Sequence, residues 1–282
     1  MNTIDLHIHS THSDGTLTPQ KIVELALKEG MRVISVADHD TVTQVKEVAK
    51  AAEGADIEVI SGVEVSADFT EGTMHILGYG VDPDNDELYE MLQEFRRGRD
   101  ERNPQIVEKL RELGIDIAYE EVLREAGGVA VGRPHIAQVL LKKKAVKTMK
   151  EAFDKYLAKG APAYFDRIRF SSLKIISAIH NAGGLAFLAH PKQLRIDNKN
   201  NLDKLVQKLI DEGLDGIEVY SSCHSKEERK QYLKIAEKYD LLISGGSDYH
   251  GIDKDYINMG FVGDGIELDY SVVEKMKARL NS

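Results

Sequence analysis

The chain has 282 residues, enough for one large domain or two ordinary ones, and its 42% hydrophobic and 30% charged residues describe a globular protein with a substantial core. A formal net charge of −10 works against broad attraction to nucleic-acid backbones or anionic membranes, while leaving room for a local phosphate site. The single cysteine, Cys223, excludes an intramolecular disulfide and a cysteine-rich zinc site. There is no charged leader before an apolar stretch and no run near the ~20 apolar residues of a membrane span, so a reducing, cytoplasmic setting is expected.

In chain order, TIDLHIH reads as a strand, followed by a helix over TPQKIVELALKEG. Thr18 is its N-cap, Pro19 its first residue and Gly30 its stop. RVISVAD is a strand, TVTQVKEVAKAAEG a helix and IEVISGVEV a strand; TMHILGYGV follows a tight turn and is expected to run antiparallel to it. From Asp84 the character changes to charged helical stretches: DELYEMLQEFRRGRDERNPQIVEKLRELG, YEEVLREAGG, RPHIAQVLLKKK and TMKEAFDKYLAKG. Residues 84–173 therefore read as an inserted helical subdomain, with 1–83 and 174–282 forming one discontinuous α/β domain. The alternation then resumes through SSLKIISAIHNAGG, LAFLAH, NLDKLVQKLIDEG, DGIEVYSS, SKEERKQYLKIAEKYD and LLISGGSDYH. Seven strand candidates, mostly separated by helices, point to a parallel α/β barrel; an open doubly wound sheet is the alternative, weakened by the lack of a Gly-rich phosphate loop.

The polar residues fall at strand ends. His7 and His9 share one face of the first strand, and Asp14 lies in the loop after it. Asp38-His39-Asp40 ends the second strand, Glu64 ends the third and His75 interrupts the fourth. His190 ends LAFLA, and Asp248 and His250 follow LLISGG. Strand ends build the active site of such barrels. Imidazole and carboxylate without thiolate suit zinc, manganese or iron, and nine donors exceed what one ion needs. Two or three divalent ions fit, with Glu64 a natural bridge, and closely spaced ions suit phosphoester hydrolysis. One histidine at a strand end is usually structural, and that reading is taken for His12, His180 and His224. The lysines at 142–144, 147 and 150 read as a solvated helix face.

Together, DLHIHSTHSDGT, ADHDT, Glu64, His75, AHP and SDYHG resemble the PHP family, named for polymerase and histidinol phosphatase domains, and in particular its stand-alone bacterial phosphoesterases. The resemblance covers roughly residues 1–80 and 184–282. It implies a distorted seven-stranded (β/α) barrel with an inserted α-helical cap and a trinuclear metal centre. His7, His9, Glu64 and Asp248 would hold one ion; Glu64, His75 and His190 a second; Asp14, His39 and His250 a third. Asp14 stands where some members have histidine, which favours a harder third ion such as manganese. GRPHIA would bring Arg133 and His135 over the ions to the substrate phosphate, with Lys192 a second phosphate contact and Asp40 orienting a ligand from behind.

The expected chemistry is attack of a metal-bound hydroxide on phosphorus, with Arg133 neutralising phosphoryl charge and His135, or a water on the third ion, protonating the leaving group. The resemblance implies a 3′,5′-nucleoside bisphosphate phosphatase or a 5′→3′ exoribonuclease on short RNA. The expected partner is thus a small phosphorylated nucleotide or a short 5′-phosphorylated oligonucleotide, not a long duplex or a membrane. Histidinol phosphatase or a promiscuous phosphomonoesterase is the enzymatic alternative. A noncatalytic metal-binding domain is the remote one, and its mark, loss of donors, is missing here.

Overall fold

The computed structural model describes residues 3–127, 131–166, 168–251, 257–263 and 266–281. It is a mixed α/β fold whose strands form two sheets. The first orders β1 (Thr3–Ile8), β2 (Met31–Val36) and β3 (Glu58–Val59), all parallel. The second orders β4 (Gly62–Ala67), β5 (Met74–Tyr79), β6 (Leu185–Leu188), β7 (Gly216–Ser221) and β8 (Leu242–Gly246). In it, β4/β5 and β5/β6 pair antiparallel, and β6/β7 and β7/β8 parallel. Single bridges join the sheets on both sides, Ile8 to Tyr249 and His39 to Glu64.

One expected strand divides. IEVISGVEV is not continuous: β3 pairs with β2, the chain turns through Ile60 and Ser61, and β4 joins the other sheet, so the seven candidates become eight strands among the described residues. The turn is set by Gly62, pressed so closely against the Ser35 side chain that a Cβ there would collide with it.

Helix α1 (Pro19–Lys28) begins as its local chemistry dictates, with the Thr18 hydroxyl accepting from Lys21 N–H and Pro19 in the first turn. Gly30 follows with φ of 70°. Helix α2 (Val45–Ala51) is shorter than its pattern suggested. Helix α3 (Asp86–Glu112) spans 27 residues, about 40 Å. Its first half buries Leu88, Leu92 and Phe95 in the same core as Ile175 and Ile179 of α7 (Ser172–Asn181). Its second half buries Ile106, Val107 and Leu110 in a separate core. That core also takes Val122 of α4 (Tyr119–Glu125), Ile136 and Leu140 of α5 (Arg133–Lys142), Ala152 of α6 (Met149–Ala152), and Leu157 of the π-helical turn Phe153–Leu157. Gly128, the last residue of the stretch read as YEEVLREAGG, lies outside the described residues.

Among the described residues three α-helices follow: α8 (Lys199–Asp211), α9 (Lys226–Tyr239) and α10 (Ser271–Leu280), the last of which sequence patterning did not single out. Among the described residues no helix is long and apolar enough to cross a membrane.

Candidate metal centre

All nine donors gather at one end of the strands. His7 is the last residue but one of β1 and His9 follows the strand, both fully buried with ring centroids 5.1 Å apart. Glu64 lies within β4, also fully buried. His75 reaches the same place from the start of β5, because β5 runs antiparallel and its first residues lie where its neighbours end. His190 follows β6, and Asp248 and His250 follow β8. Asp40 and Asp248 have φ of 55° and 56°, a conformation that tight loops at functional sites impose on non-glycine residues. Gly246 lies against the backbone and Cβ of His7 with no room for a Cβ of its own, which lets β8 close on β1.

The ligand-type atoms fall into four overlapping groups: His9, Asp14, His39 and His250; His7, Glu64 and His190; His7, His9 and Asp248; and His39, Glu64 and His75. Within each group the donor atoms lie within 4.8 Å of one another. Glu64 is the hub. Its Oε1 is 2.7 Å from His75 Nδ1 and 2.7 Å from His190 Nε2, while its Oε2 is 2.9 Å from His39 Nδ1 and 3.3 Å from both His7 Nε2 and His9 Nε2. Glu64 Oε2, His7 Nε2, His9 Nε2 and His39 Nδ1 are all buried without a hydrogen bond. Orphaned buried polar atoms are costly, and four that converge on one space fit cations shared among them.

The electrostatics agree. Burial alone would raise Glu64, yet His39, His75 and His7 hold it well below the ordinary carboxylate range. Asp14 and Asp248 are likewise pushed up by burial and then brought well below it, chiefly by His250. Burial and the neighbouring His250 pull His9 down to about 3, so its imidazole is neutral at physiological pH. His39 goes the other way: against burial, Glu64 and Asp14 carry it up to about 9. Against burial, His7 and His190 are raised too, His7 chiefly by Glu218 and Glu64 and His190 chiefly by Glu64, so the carboxylates hold protons on these imidazoles that a divalent ion would displace on binding.

Behind the donors stands a layer of buried acids. Glu218, within β7, accepts from His7 Nδ1 at 2.9 Å and from the His190 backbone N–H at 2.6 Å. It fixes which nitrogen of His7 faces inward, the role carboxylates play behind metal-bound histidines. Asp38 accepts from Ser10 N–H at 2.7 Å and from the hydroxyls of Ser10 and Ser13 at 2.5 Å, shaping the loop that carries Asp14. Asp5 accepts from Ser247 N–H at 2.9 Å, its hydroxyl at 2.6 Å and Gly260 N–H at 2.7 Å, anchoring the loop of Asp248. Asp40, expected in such a place, accepts from Ser66 N–H at 2.8 Å, pairs with Arg99 of α3 and contributes to raising its neighbour His39. Sequence patterning passed over Glu218, although an acid inside the apolar run GIEVYS is the same kind of signal as His75 in MHILGY.

Above the donors lies a cleft of about 300 Å³. Asp14, His39 and His75 line its floor, and Arg99, Arg102, Arg133, His135 and Phe153 of the helical region line the opposite wall. Arg133 and His135 thus line the same cleft as three of the donors, together with Arg99 and Arg102, which were not anticipated. Lys192 does not line the cleft; its ammonium donates to the Cys223 carbonyl at 2.7 Å and lies 3.3 Å from Glu228. His12 is tied to Thr43 and Glu47 of the α2 region, His180 to Asp215 and His224 to the Val219 carbonyl, and none joins the four groups.

A fold of this kind, with histidines and carboxylates converging under an arginine-lined cleft, defines a class before it defines a substrate. The PHP domain model matches residues 5–166, and the chain belongs to the PHP domain family and, with it, to the phosphoester hydrolases. It is similar to a 3′,5′-nucleoside bisphosphate phosphatase of Chromobacterium violaceum, 32% identical across 99% of this chain and 98% of that one. It is also similar to a 5′-3′ exoribonuclease of Haemophilus influenzae, 35% identical across 87% of this chain and 89% of that one. A solved structure of a Bifidobacterium adolescentis protein assigned as a metal-dependent phosphoesterase superposes with a TM-score of 0.85 at 31% identity, covering 99% of this chain and 96% of the other.

Proposed function

We propose that the protein hydrolyses phosphate esters of nucleotides, a nucleoside 3′,5′-bisphosphate or the 5′ end of a short RNA, using two to three divalent ions. The observation that carries this reading is one cleft lined both by Asp14, His39 and His75 of the nine-donor cluster and by Arg99, Arg102 and Arg133. On the family pattern His7, His9, Glu64 and Asp248 would hold one ion, Glu64, His75 and His190 a second, and Asp14, His39 and His250 a third; here the donor atoms group a little differently, His9 with Asp14, His39 and His250, and His190 with His7 and Glu64, and manganese, zinc or iron suits either arrangement. Such ions, when bound, lower the pKa of a coordinated water and offset charge on phosphoryl oxygens.

The chain's own residues supply the rest. Arg133 donates from one guanidinium nitrogen to the Leu157 carbonyl at 2.9 Å, which leaves the other face of its fork for a phosphate. Arg99, oriented by Asp40, and Arg102, braced by Asn103 Oδ1 at 2.7 Å, add positive charge on the same wall. His135 has a fixed tautomer: Gly132 N–H donates to its Nδ1 at 3.0 Å, so the ring proton sits on Nε2. Burial also lowers its pKa. His135 therefore donates a hydrogen bond to a phosphoryl oxygen as a neutral ring, and the leaving-group proton comes from another source. The similarity to nucleotide-directed relatives supports the substrate class. The same reading takes the two bridged sheets as a distorted barrel, and residues 84–173, with their separate apolar core, as an inserted cap.

The test is a substrate panel with Glu64→Ala alongside the parent enzyme. Adenosine 3′,5′-bisphosphate and a 5′-phosphorylated short RNA should be hydrolysed in preference to histidinol phosphate. Glu64→Ala should lose metal and at least about 10³-fold in turnover. Preference for histidinol phosphate would overturn the substrate class, and full turnover in Glu64→Ala would overturn the site.

A further inference from the structure

A second groove, of about 550 Å³, opens beside α9 and is lined by Tyr220, His224, Lys226, Arg229, Lys230 and Phe261, among others. One short turn connects it with the cleft. Gln193 of the short 3₁₀ turn Pro191–Leu194 lines the cleft, while its neighbour Lys192 reaches the Cys223 carbonyl and Glu228 at the head of α9. From that head Lys226, Lys230, Lys234 and Lys238 follow at four-residue intervals, about 6 Å of rise per step. Four residues overshoot a full turn, so the row winds slowly across the helix. Lys226 and Lys230 accordingly line this groove, and Lys230, Lys234 and Lys238 the one between α8 and α9.

The pairing of these lysines separates them from an ordinary solvated face. Lys142, Lys143, Lys150 and Lys155 of the helical region each meet a carboxylate within 2.5–2.9 Å. On α9 only Lys238 does so, with Asp203 at 2.8 Å; among the described residues Lys226, Lys230 and Lys234 form no ion pair. The acids of α9 sit at its ends, Glu227 and Glu228 in the first turn and Glu237 in the last. Glu228 is already engaged by Ser225 N–H and Lys192. A row of three unpaired cations in a chain of net charge −10 is a local reversal of sign. Beside it Phe261, 37% exposed, and Tyr220 offer aromatic surface. Spaced cations with an aromatic platform suit a single-stranded nucleic acid, whose backbone they track and whose bases they stack.

We propose that this groove and lysine row carry the 3′-ward nucleotides of a single-stranded RNA whose 5′ end occupies the cleft. The proposal rests on the nucleotide phosphoesterase reading above and extends it to a substrate longer than one nucleotide. The test compares adenosine 3′,5′-bisphosphate with 5′-phosphorylated oligoadenylates of increasing length, using the metal-loaded parent enzyme and a triple variant, Lys226→Glu with Lys230→Glu and Lys234→Glu. All three positions are exposed, so the variant folds on the same core. In the parent enzyme, KM should fall about tenfold as the oligonucleotide lengthens past the first few residues. The triple variant should abolish that gain and lower the salt slope of log(kcat/KM) by about 2, at ~0.7 per lost phosphate contact, while bisphosphate turnover stays within about twofold. A KM that does not depend on length, or a length dependence that survives in the triple variant, overturns the proposal even where the bisphosphate is turned over normally. An enzyme that hydrolyses no nucleotide at all overturns both readings.

Discussion

The donor cluster and the helical region carry similar charge to opposite ends. In the cluster, imidazoles and carboxylates are buried, converge on Glu64 and leave several atoms without hydrogen bonds. In the helical region most ion pairs are short-range and solvent-facing, such as Lys109 with Glu112 and Lys150 with Asp154. Pairs of that kind contribute a few tenths of a kcal/mol and are screened by salt. The exceptions there, Arg99, Arg102, Arg133 and His135, turn towards the cleft. Function thus follows where polar groups converge on one cleft rather than where charge is dense.

Glu218 gives the hardest test of that contrast, because it is as buried as the donors and lies behind them. Glu218→Ala should weaken metal binding about 10- to 100-fold, since His7 loses the acceptor that orients its ring and the His190 backbone N–H loses its partner. Glu218→Gln, which keeps an oxygen, should recover part of the loss. Metal titration with circular dichroism as a folding control would check this. Unchanged metal affinity in a folded Glu218→Ala protein would reduce the acid layer to packing.

Much of the cluster could be read in the chain because its signal is local: a polar residue closing or interrupting an apolar run, as at His7, His75, His190 and Asp248. The Thr18 cap of α1 and the change of character after Asp84 were legible for the same reason. What escaped depends on tertiary approach. The break between β3 and β4 arises where Gly62 meets Ser35; Ser61-Gly62 inside IEVISGVEV is its only local mark, and the close approach that enforces it is tertiary. Arg99 and Arg102 sit in a helix full of charges, where only packing separates a buried arginine from a solvated one. Lys192 follows His190 closely in sequence, yet its side chain turns to α9.

If the helical region binds while the cluster does the chemistry, Arg133→Ala should raise KM about 10- to 100-fold with a smaller change in kcat, as expected when a charged hydrogen bond to phosphate is lost. Arg133→Lys should restore only part of the effect, because an ammonium lacks the planar fork. Steady-state kinetics on a nucleoside bisphosphate separates the outcomes. A fall in kcat at constant KM would dissolve the division between the two regions.

The smallest effect sharpens the comparison from outside the cluster. His180 and Asp215 make the same histidine–carboxylate contact as His7 and Glu218, 2.8 Å against 2.9 Å, but the His180 side chain is 38% exposed where His7 is fully buried. The hydrogen bond to Asp215 raises the His180 pKa above its ordinary value, against a smaller opposing effect of burial. A raised folded-state pKa gives stability that is fully present below the unfolded value of ~6.5 and is lost as pH rises through the folded value. His180→Gln should therefore cost more at about pH 5.5 than at about pH 9, and less than about 1 kcal/mol at either, because the pair is largely solvent-screened. That amounts to a Tm loss of at most ~2–4 °C at the lower pH. Equal losses at both pH values would mean that His180 acts through packing alone. Metal affinity should stay at the parent value throughout, since His180 belongs to none of the donor groups.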